Sequence, residues 1–161
     1  MESFQKLLTS PLTRLFEKLA IWVGLSENAA PVLMVLFIEK YRSDNRLSSE
    51  DICQATGYSR ANAGLIISQL ESIRIIEGQR DFSQTGRGRK RVLYRLSVDL
   101  DEFFELGFKG IFNQLENMMR DVTSIQGSTS FFVEGMSEML VQMKSEIQKS
   151  LERLASTKPI R

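Results

Sequence analysis

Two short, separately capped helical segments that meet at a glycine are the strongest constraint on this chain. Leu47-Ser-Ser-Glu-Asp-Ile-Cys-Gln-Ala-Thr-Gly57 opens on Ser48, an N-cap residue, with Asp51 at the position where a capping box usually carries Glu or Gln. Ile52 and Ala55 give it a short apolar face. Gly57 suits the left-handed residue that ends a helix. Only Tyr58 intervenes before Ser59, the cap of a second segment running from Arg60 to Ile73. Ala63, Ile66 or Ile67, Leu70 and Ile73 form the buried stripe of that segment. Two short helices joined by a tight, glycine-containing turn are the signature of a helix-turn-helix.

A hairpin follows. Arg74-Ile-Ile-Glu-Gly-Gln79 reads as a short strand and Val92-Leu-Tyr-Arg-Leu-Ser-Val98 as its partner, with Val92, Tyr94, Leu96 and Val98 on one face. Between them, Arg80 to Arg91 contains Gly86 and Gly88 and no apolar run. Arg80, Arg87, Arg89, Lys90 and Arg91 stand there against Asp81, a net +4 in twelve residues. A long basic hairpin loop directly after a helix-turn-helix is a wing. The whole chain carries only +1, from 21 Lys and Arg against 20 Asp and Glu. That total hides polarity, because Asp99 to Arg153 holds ten acidic residues and five basic ones. Phosphate binding needs clustered cations rather than a high average. An acidic helical region would also turn the basic face toward a duplex. Taken alone, a basic loop reads as a solvated surface; in this position it reads as a phosphate contact.

The flanking segments are helical. Residues 4–23 repeat apolar side chains at Leu8, Leu12, Leu15, Leu19 and Trp22, with a start or a kink at Pro11. A second helix opens at Ser26 or Asn28, tolerates Pro31 in its first turn and is nearly all apolar from Val32 to Ile38. Arg42 to Arg46 reads as a loop. After the wing, Asp99 and Glu102 form a capping box. Phe108, Ile111, Leu115, Met118, Val122 and Ile125 then recur at the spacing of a heptad seam. Gly127 breaks the helix, with a new cap at Ser128 or Ser130, and Val133, Met136, Leu140, Met143, Ile147 and Leu154 resume the pattern. Two such seams are more apolar surface than a small winged domain covers alone. They point to a two-fold dimer, which would present two recognition helices about 34 Å apart. The expected fold is mainly α with a small β-hairpin: a winged helix-turn-helix with N- and C-terminal dimerisation helices. Its divisions are an N-terminal helix (residues 1–25), the winged domain (26–98), a C-terminal helical region (99–156) and a frayed tail (157–161).

Composition narrows the function classes. The 161 residues include no histidine and one cysteine, Cys53, so neither a disulfide framework nor a zinc site of the usual soft ligands can be built. The commonest general base is missing, and Cys53 has no imidazole partner, so the chain does not read as an enzyme. Gly86-Arg-Gly88 lies in a hairpin rather than before a helix, which excludes a phosphate-cradling loop. The longest apolar run, Ala29 to Ile38, is half of the roughly 20 residues that a membrane-spanning helix needs. No secretory signal pattern opens the chain, so a cytoplasmic location is expected.

These residues imply a duplex DNA partner. The N-terminal face of the second helix offers Ser59, Arg60, Ala61, Asn62, Gly64, Leu65 and Ser68. Arg pairs bidentately with guanine and Asn with adenine in the major groove. Asn62 alternatively serves as a first-turn capping residue. Gly64 allows close approach either of DNA or of another helix, and Leu65 either meets a thymine methyl or is buried. A rival reading makes the winged helix a protein-interaction module that uses its C-terminal heptads.

The stretch from Ala20 to about Ile125 resembles the MarR superfamily and, within it, the GbsR-like branch of winged-helix regulators. The resemblance is carried by Leu25-Ser-Glu-Asn-Ala-Ala-Pro31, by Leu47 to Asn62, by Gln69-Leu-Glu-Ser-Ile-Arg-Ile-Ile-Glu77 and by Gly88-Arg-Lys-Arg-Val-Leu-Tyr-Arg-Leu96. It implies a homodimeric transcriptional regulator, with repression the expected mode. Ser59, Arg60 and Asn62 match the start of the recognition helix, and Arg87, Arg89, Lys90 and Arg91 match the wing. No cofactor or metal is implied, but a small-molecule effector is left open. Relatives in this branch resemble sensors of choline or glycine betaine, which need an aromatic cage. Trp22, Phe16, Phe37, Phe103, Phe104, Phe108 and Phe112 could supply its rings, or form ordinary core. The chain departs from the family in its apolar Leu65-Ile-Ile67 and in a longer wing that carries Phe82.

Overall fold

The computed structural model describes residues 2–128 and 133–156, with side chains from Phe4 onward in that range. The tail at 157–161 and the alternative cap Ser130 lie outside the described residues. The chain divides into two compact units, Met1–Leu106 and Gly107–Arg161.

In the first unit the N-terminal segment is two helices, not one. Helix α1 (Glu2–Leu8) stops before Ser10, and α2 (Pro11–Trp22) starts at the proline. Pro11 lacks the N–H that a first-turn residue cannot pair anyway. Ser10 Oγ accepts the Leu12 N–H at 3.3 Å. The face that α2 buries is centred on Phe16 and Ala20, with Leu12, Leu19 and Trp22 half-buried beside it and Leu15 exposed. The leucine stripe is therefore off by part of a turn, because counting leucines overlooks the small alanine at which another element approaches closely. Leu8, Leu12, Leu19 and Trp22, expected at a dimer seam, pack at least in part against their own chain's core.

A 3-10 turn (Glu27–Ala29) leads into α3 (Ala30–Arg42), which buries an unbroken run from Val32 to Phe37. Each such side chain contributes about 1.5–3 kcal/mol by leaving water. Phe37 is the hub. Its ring centroid lies 5.7 Å from that of Phe16 and 5.3 Å, edge-on, from that of Phe103. These three rings of the expected cation cage are thus core side chains. Phe104, next in line, is largely exposed. Polar groups at the end of α3 are satisfied: the buried Glu39 accepts from Arg42 and from the Ser43 hydroxyl, and Lys40 Nζ donates to Val98 O at 2.6 Å.

Strand β1 (Leu47–Ser48), helix α4 (Ser49–Thr56), helix α5 (Arg60–Ser72), β2 (Ile76–Arg80) and β3 (Val92–Leu96) follow. The sheet is antiparallel in the order β1-β3-β2, with Leu47 opposite Tyr94 and Gly78 opposite Tyr94 on the other side. A Cβ at Gly78 would come within 2.8 Å of Val92 Cγ1 and 3.0 Å of Tyr94 Cε1, so only glycine fits. The two-residue β1 has no sequence signal of its own. This is a winged helix-turn-helix. One core spans residues on both sides of positions 25 and 98, since it includes Phe16 and Ala20 before the first and Phe103 after the second.

Helix α6 (Leu100–Gln126) opens on the expected box: Asp99 N–H donates to Glu102 Oε2 and Glu102 N–H to Asp99 Oδ1, both at 2.9 Å. In the second unit, the later turns of α6 and helix α7 (Met136–Ser156) share a small cluster of Val122, Leu140 and Ile147, bordered by Leu115, Met119, Met136 and Leu151. Of the remaining heptad positions, Ile111 is half-buried, while Phe108, Met118, Ile125, Val133 and Met143 are exposed. Val133 does not belong to the helical seam, because α7 begins only after Gly135, whose φ is +79°. No helix among the described residues is long and apolar enough to cross a membrane.

Phe103→Ala should lower unfolding stability by about 3–5 kcal/mol, the usual range for emptying an aromatic core site. Gly57→Ala should cost about 1–2 kcal/mol from left-handed backbone strain alone, since a Cβ there meets nothing within 4 Å. Equilibrium urea titration measures both.

Candidate nucleic-acid interface

The helix-turn-helix is held by local hydrogen bonds before any packing is considered. Ser48 Oγ accepts the Asp51 N–H at 3.1 Å and Asp51 Oδ2 accepts the Ser48 N–H at 2.8 Å, closing the capping box. Gly57 takes φ +74°, and its N–H reaches Cys53 O at 2.8 Å. The Thr56 hydroxyl accepts the Tyr58 N–H at 3.2 Å, bridging the turn. Ser59 Oγ caps α5 by accepting the Asn62 N–H at 3.2 Å.

With Ala63, Ile66, Ile67 and Leu70 buried, the other face of α5 looks outward. Ser59, Arg60, Ala61, Leu65 and Ser68 are exposed, and Asn62 and Gly64 half-exposed. All seven expected recognition residues therefore reach the surface along one helix face. The apolar run Leu65-Ile-Ile67 divides: both isoleucines are core, whereas Leu65 stands 59% exposed in the middle of the face. A Cβ at Gly64 would meet nothing within 4 Å, so this glycine does not serve helix packing inside the chain.

Two side chains that matter to this face were not singled out from sequence. Asn28, in the 3-10 turn, donates from Nδ2 to Asn62 Oδ1 at 2.8 Å. Tyr58 donates its hydroxyl to Asn28 O at 2.9 Å. Burial, and then the nearby Glu17, push the Tyr58 phenol above its ordinary value. The partners lie 34 and 30 residues apart, a separation at which no local pattern signals a bond.

The wing is closed at its neck. Asp81 N–H donates to Arg91 O at 2.9 Å, and Arg91 Nε donates to Asp81 Oδ2 at 2.8 Å. The Ser83 N–H and hydroxyl both donate to Asp81 Oδ1, and Gln84 Oε1 accepts the Arg91 N–H at 3.2 Å. Arg91, expected as a phosphate contact, is thus also a structural anchor, and Asp81 holds its guanidinium even more firmly protonated. Arg60, Arg80, Arg87, Arg89 and Lys90 take part in none of the ion pairs among the described residues. Beyond the neck, Lys90 Nζ sits 4.8 Å above the ring of Phe82, which is 70% exposed. Arg80, Phe82, Gly88, Arg89, Lys90 and Val92 line a shallow hollow there. Glu77 on β2 binds Arg95 at 2.8 Å and Arg46 at 3.0 Å, which keeps its carboxyl below the usual range and ties the strands to the loop before β1. Among the described residues no three metal-ligating side chains converge.

No protein-family model matches the chain, and no curated protein matches it. Among solved structures it is similar to a crystal structure of a transcriptional regulator, with a TM-score of 0.60 at 15% identity over 91% of this chain and 94% of that one. It is also similar to an S. aureus MepR mutant bound to an oligodeoxyribonucleotide, with a TM-score of 0.45 at 17% identity over 95% and 96% of the two chains. A MepR mutant from a multidrug resistant S. aureus clinical isolate gives a TM-score of 0.45 at 12% identity over 96% and 92%. The first likeness is one of fold.

The Asp81 carboxyl is held below the ordinary aspartate value, first by the Ser83 hydroxyl and then by Arg91. Its contribution to stability is therefore complete above about pH 4 and disappears as pH falls through the lowered native value. Asp81→Asn should lower the thermal midpoint at neutral pH, and the gap from wild type should narrow below about pH 4. A gap independent of pH would refute this account of the neck.

Proposed function

We propose that the chain is a homodimeric, sequence-specific regulator of transcription that binds double-stranded DNA, with repression as its mode. The observation that carries this reading is one surface arrangement. An outward helix face bearing Arg60, Asn62 and Ser68 is paired with a wing whose Arg80, Arg87, Arg89 and Lys90 are engaged by no carboxylate. Cations left unpaired on a projecting loop are the means of displacing counterions from phosphate. A helix N-terminus free of packing on one side is the part of a helix-turn-helix that enters the major groove. The fold likeness to a transcriptional regulator supports the same reading.

Ser59 would hold phosphate through its backbone N–H at the positive end of α5. Arg60 and Asn62 would address base edges, and exposed Leu65 would address a thymine methyl. Arg80, Arg87, Arg89, Lys90 and the outer atoms of Arg91 would set affinity along the backbone or in the minor groove. A second copy would cover the apolar side chains exposed on the second unit, among them Phe108, Met118, Ile125, Met139, Val141 and Met143. That pairing would set two reading heads on a palindromic site.

Fluorescence anisotropy with duplex DNA at low and moderate salt tests the reading. Arg60→Ala should relax specificity. Arg89→Ala and Lys90→Ala should each weaken binding to all sequences and reduce the salt slope by about 1. Sedimentation of the pure protein should show a homodimer. A chain that binds no duplex at low salt but forms a heteromer through its C-terminal helices would replace this reading with the protein-interaction module.

A further inference from the structure

The bond between Asn28 and Asn62 changes what the recognition helix can read. Bidentate recognition of adenine needs both ends of an asparagine amide: the oxygen accepts from N6 while the amine donates to N7. Here Asn62 Oδ1 is turned to Asn28 and accepts its Nδ2–H at 2.8 Å. The Asn62 amine makes no bond to any described residue, and the side chain is half-exposed on the outward face of α5. The backbone of Asn28 is itself held, since the Tyr58 hydroxyl donates to its main-chain carbonyl at 2.9 Å and Tyr58 sits in the turn that sets the start of α5. The lock therefore runs from the 3-10 turn before α3, through the Asn28 amide, to the first turn of the recognition helix.

We infer that Asn28 is a specificity-positioning residue that orients the Asn62 amide, engaging its oxygen and presenting its amine to DNA. This rests on the DNA-binding reading above and adds to it a chemical class of base. A donor finds partners on guanine O6 and N7, thymine O4 and adenine N7, whereas the major-groove edge of cytosine offers only an amine. Adenine thereby loses its usual advantage at asparagine, because Asn28 competes with its N6 amine for the Asn62 oxygen. Asn28 touches no base in this arrangement; it acts through Asn62.

The test uses the full chain. Random-sequence duplex DNA is selected by the wild type, and the four base pairs at each selected position are then compared by anisotropy. The position beneath Asn62 is the one whose preference Asn62→Ala abolishes. There the wild type should prefer guanine or thymine and show no advantage for adenine over them. Asn28→Ala frees the amide, and adenine should gain about 5- to 150-fold over the other bases, the range expected of a bidentate pair. Asn28→Asp can only accept, so the Asn62 amine turns inward and its oxygen outward. Preference should then move to cytosine or adenine, the bases that present an amine.

A merely structural role for Asn28 would weaken all duplexes alike. Unchanged base preferences in Asn28→Ala and Asn28→Asp therefore overturn the inference and leave the DNA-binding reading intact. So does a wild type that already selects adenine at that position by the same margin, or an Asn62→Ala variant that abolishes no preference. A wild type that selects no duplex at all overturns the underlying reading, and the inference with it.

Discussion

The edge-on contact between Phe37 and Phe103 joins segments that are far apart in the chain, and much of the first unit depends on it. Phe37 belongs to α3, the most deeply buried helix, and Phe103 to the start of α6. Phe16 of α2 meets Phe37 from another direction. Such pairs contribute about 0.5–1.5 kcal/mol beyond the area they bury. Their larger effect is to fix α3, against which α4, α5 and β3 are all arranged. Helix α5 touches this core through Ala63, Ile66, Ile67 and Leu70, so a displaced α3 would tilt the face that carries Arg60 and Asn62.

Features closed by neighbours in sequence were legible in advance. The Ser48–Asp51 box, the left-handed Gly57, the Ser59 cap and the Asp99–Glu102 box each involve residues within four positions of one another, and all of them are present in the structure. Features that depend on a distant partner were not. Strand β1 exists because Leu47 and Ser48 find Tyr94 and Leu93. The buried face of α2 is set by what crosses Ala20, not by where its leucines fall. Val133 lies outside α7 for a local reason, namely that Gly135 takes a backbone conformation no helix continues through.

The candidate site divides along the same line. Which side chains face outward on α5 followed from its apolar period. What holds each of them did not, because Asn28 and Asp81 act through hydrogen bonds to residues 34 and 10 positions away. Charge shows the same contrast. The basic loop was evident, but of its five cations Arg91 is bound by a carboxylate of the loop and Lys90 lies over the Phe82 ring. Polarity between the wing and the acidic helices is a property of the sequence, whereas the division of labour within the wing is a property of the fold.

The closed neck has a consequence for the loop beyond it. Asp81 and Arg91 are joined both through the backbone and through their side chains, so the strands end in a fixed geometry whatever spans the gap between them. The entropy of closing such a loop grows only slowly with its length, by about 0.6 kcal/mol per doubling. Residues between Gln84 and Lys90 can then be inserted, deleted or exchanged with little effect on the sheet. The tip of the wing can therefore vary without disturbing the strands, whereas the outward face of α5 is tied to the core on one side and to Asn28 on the other.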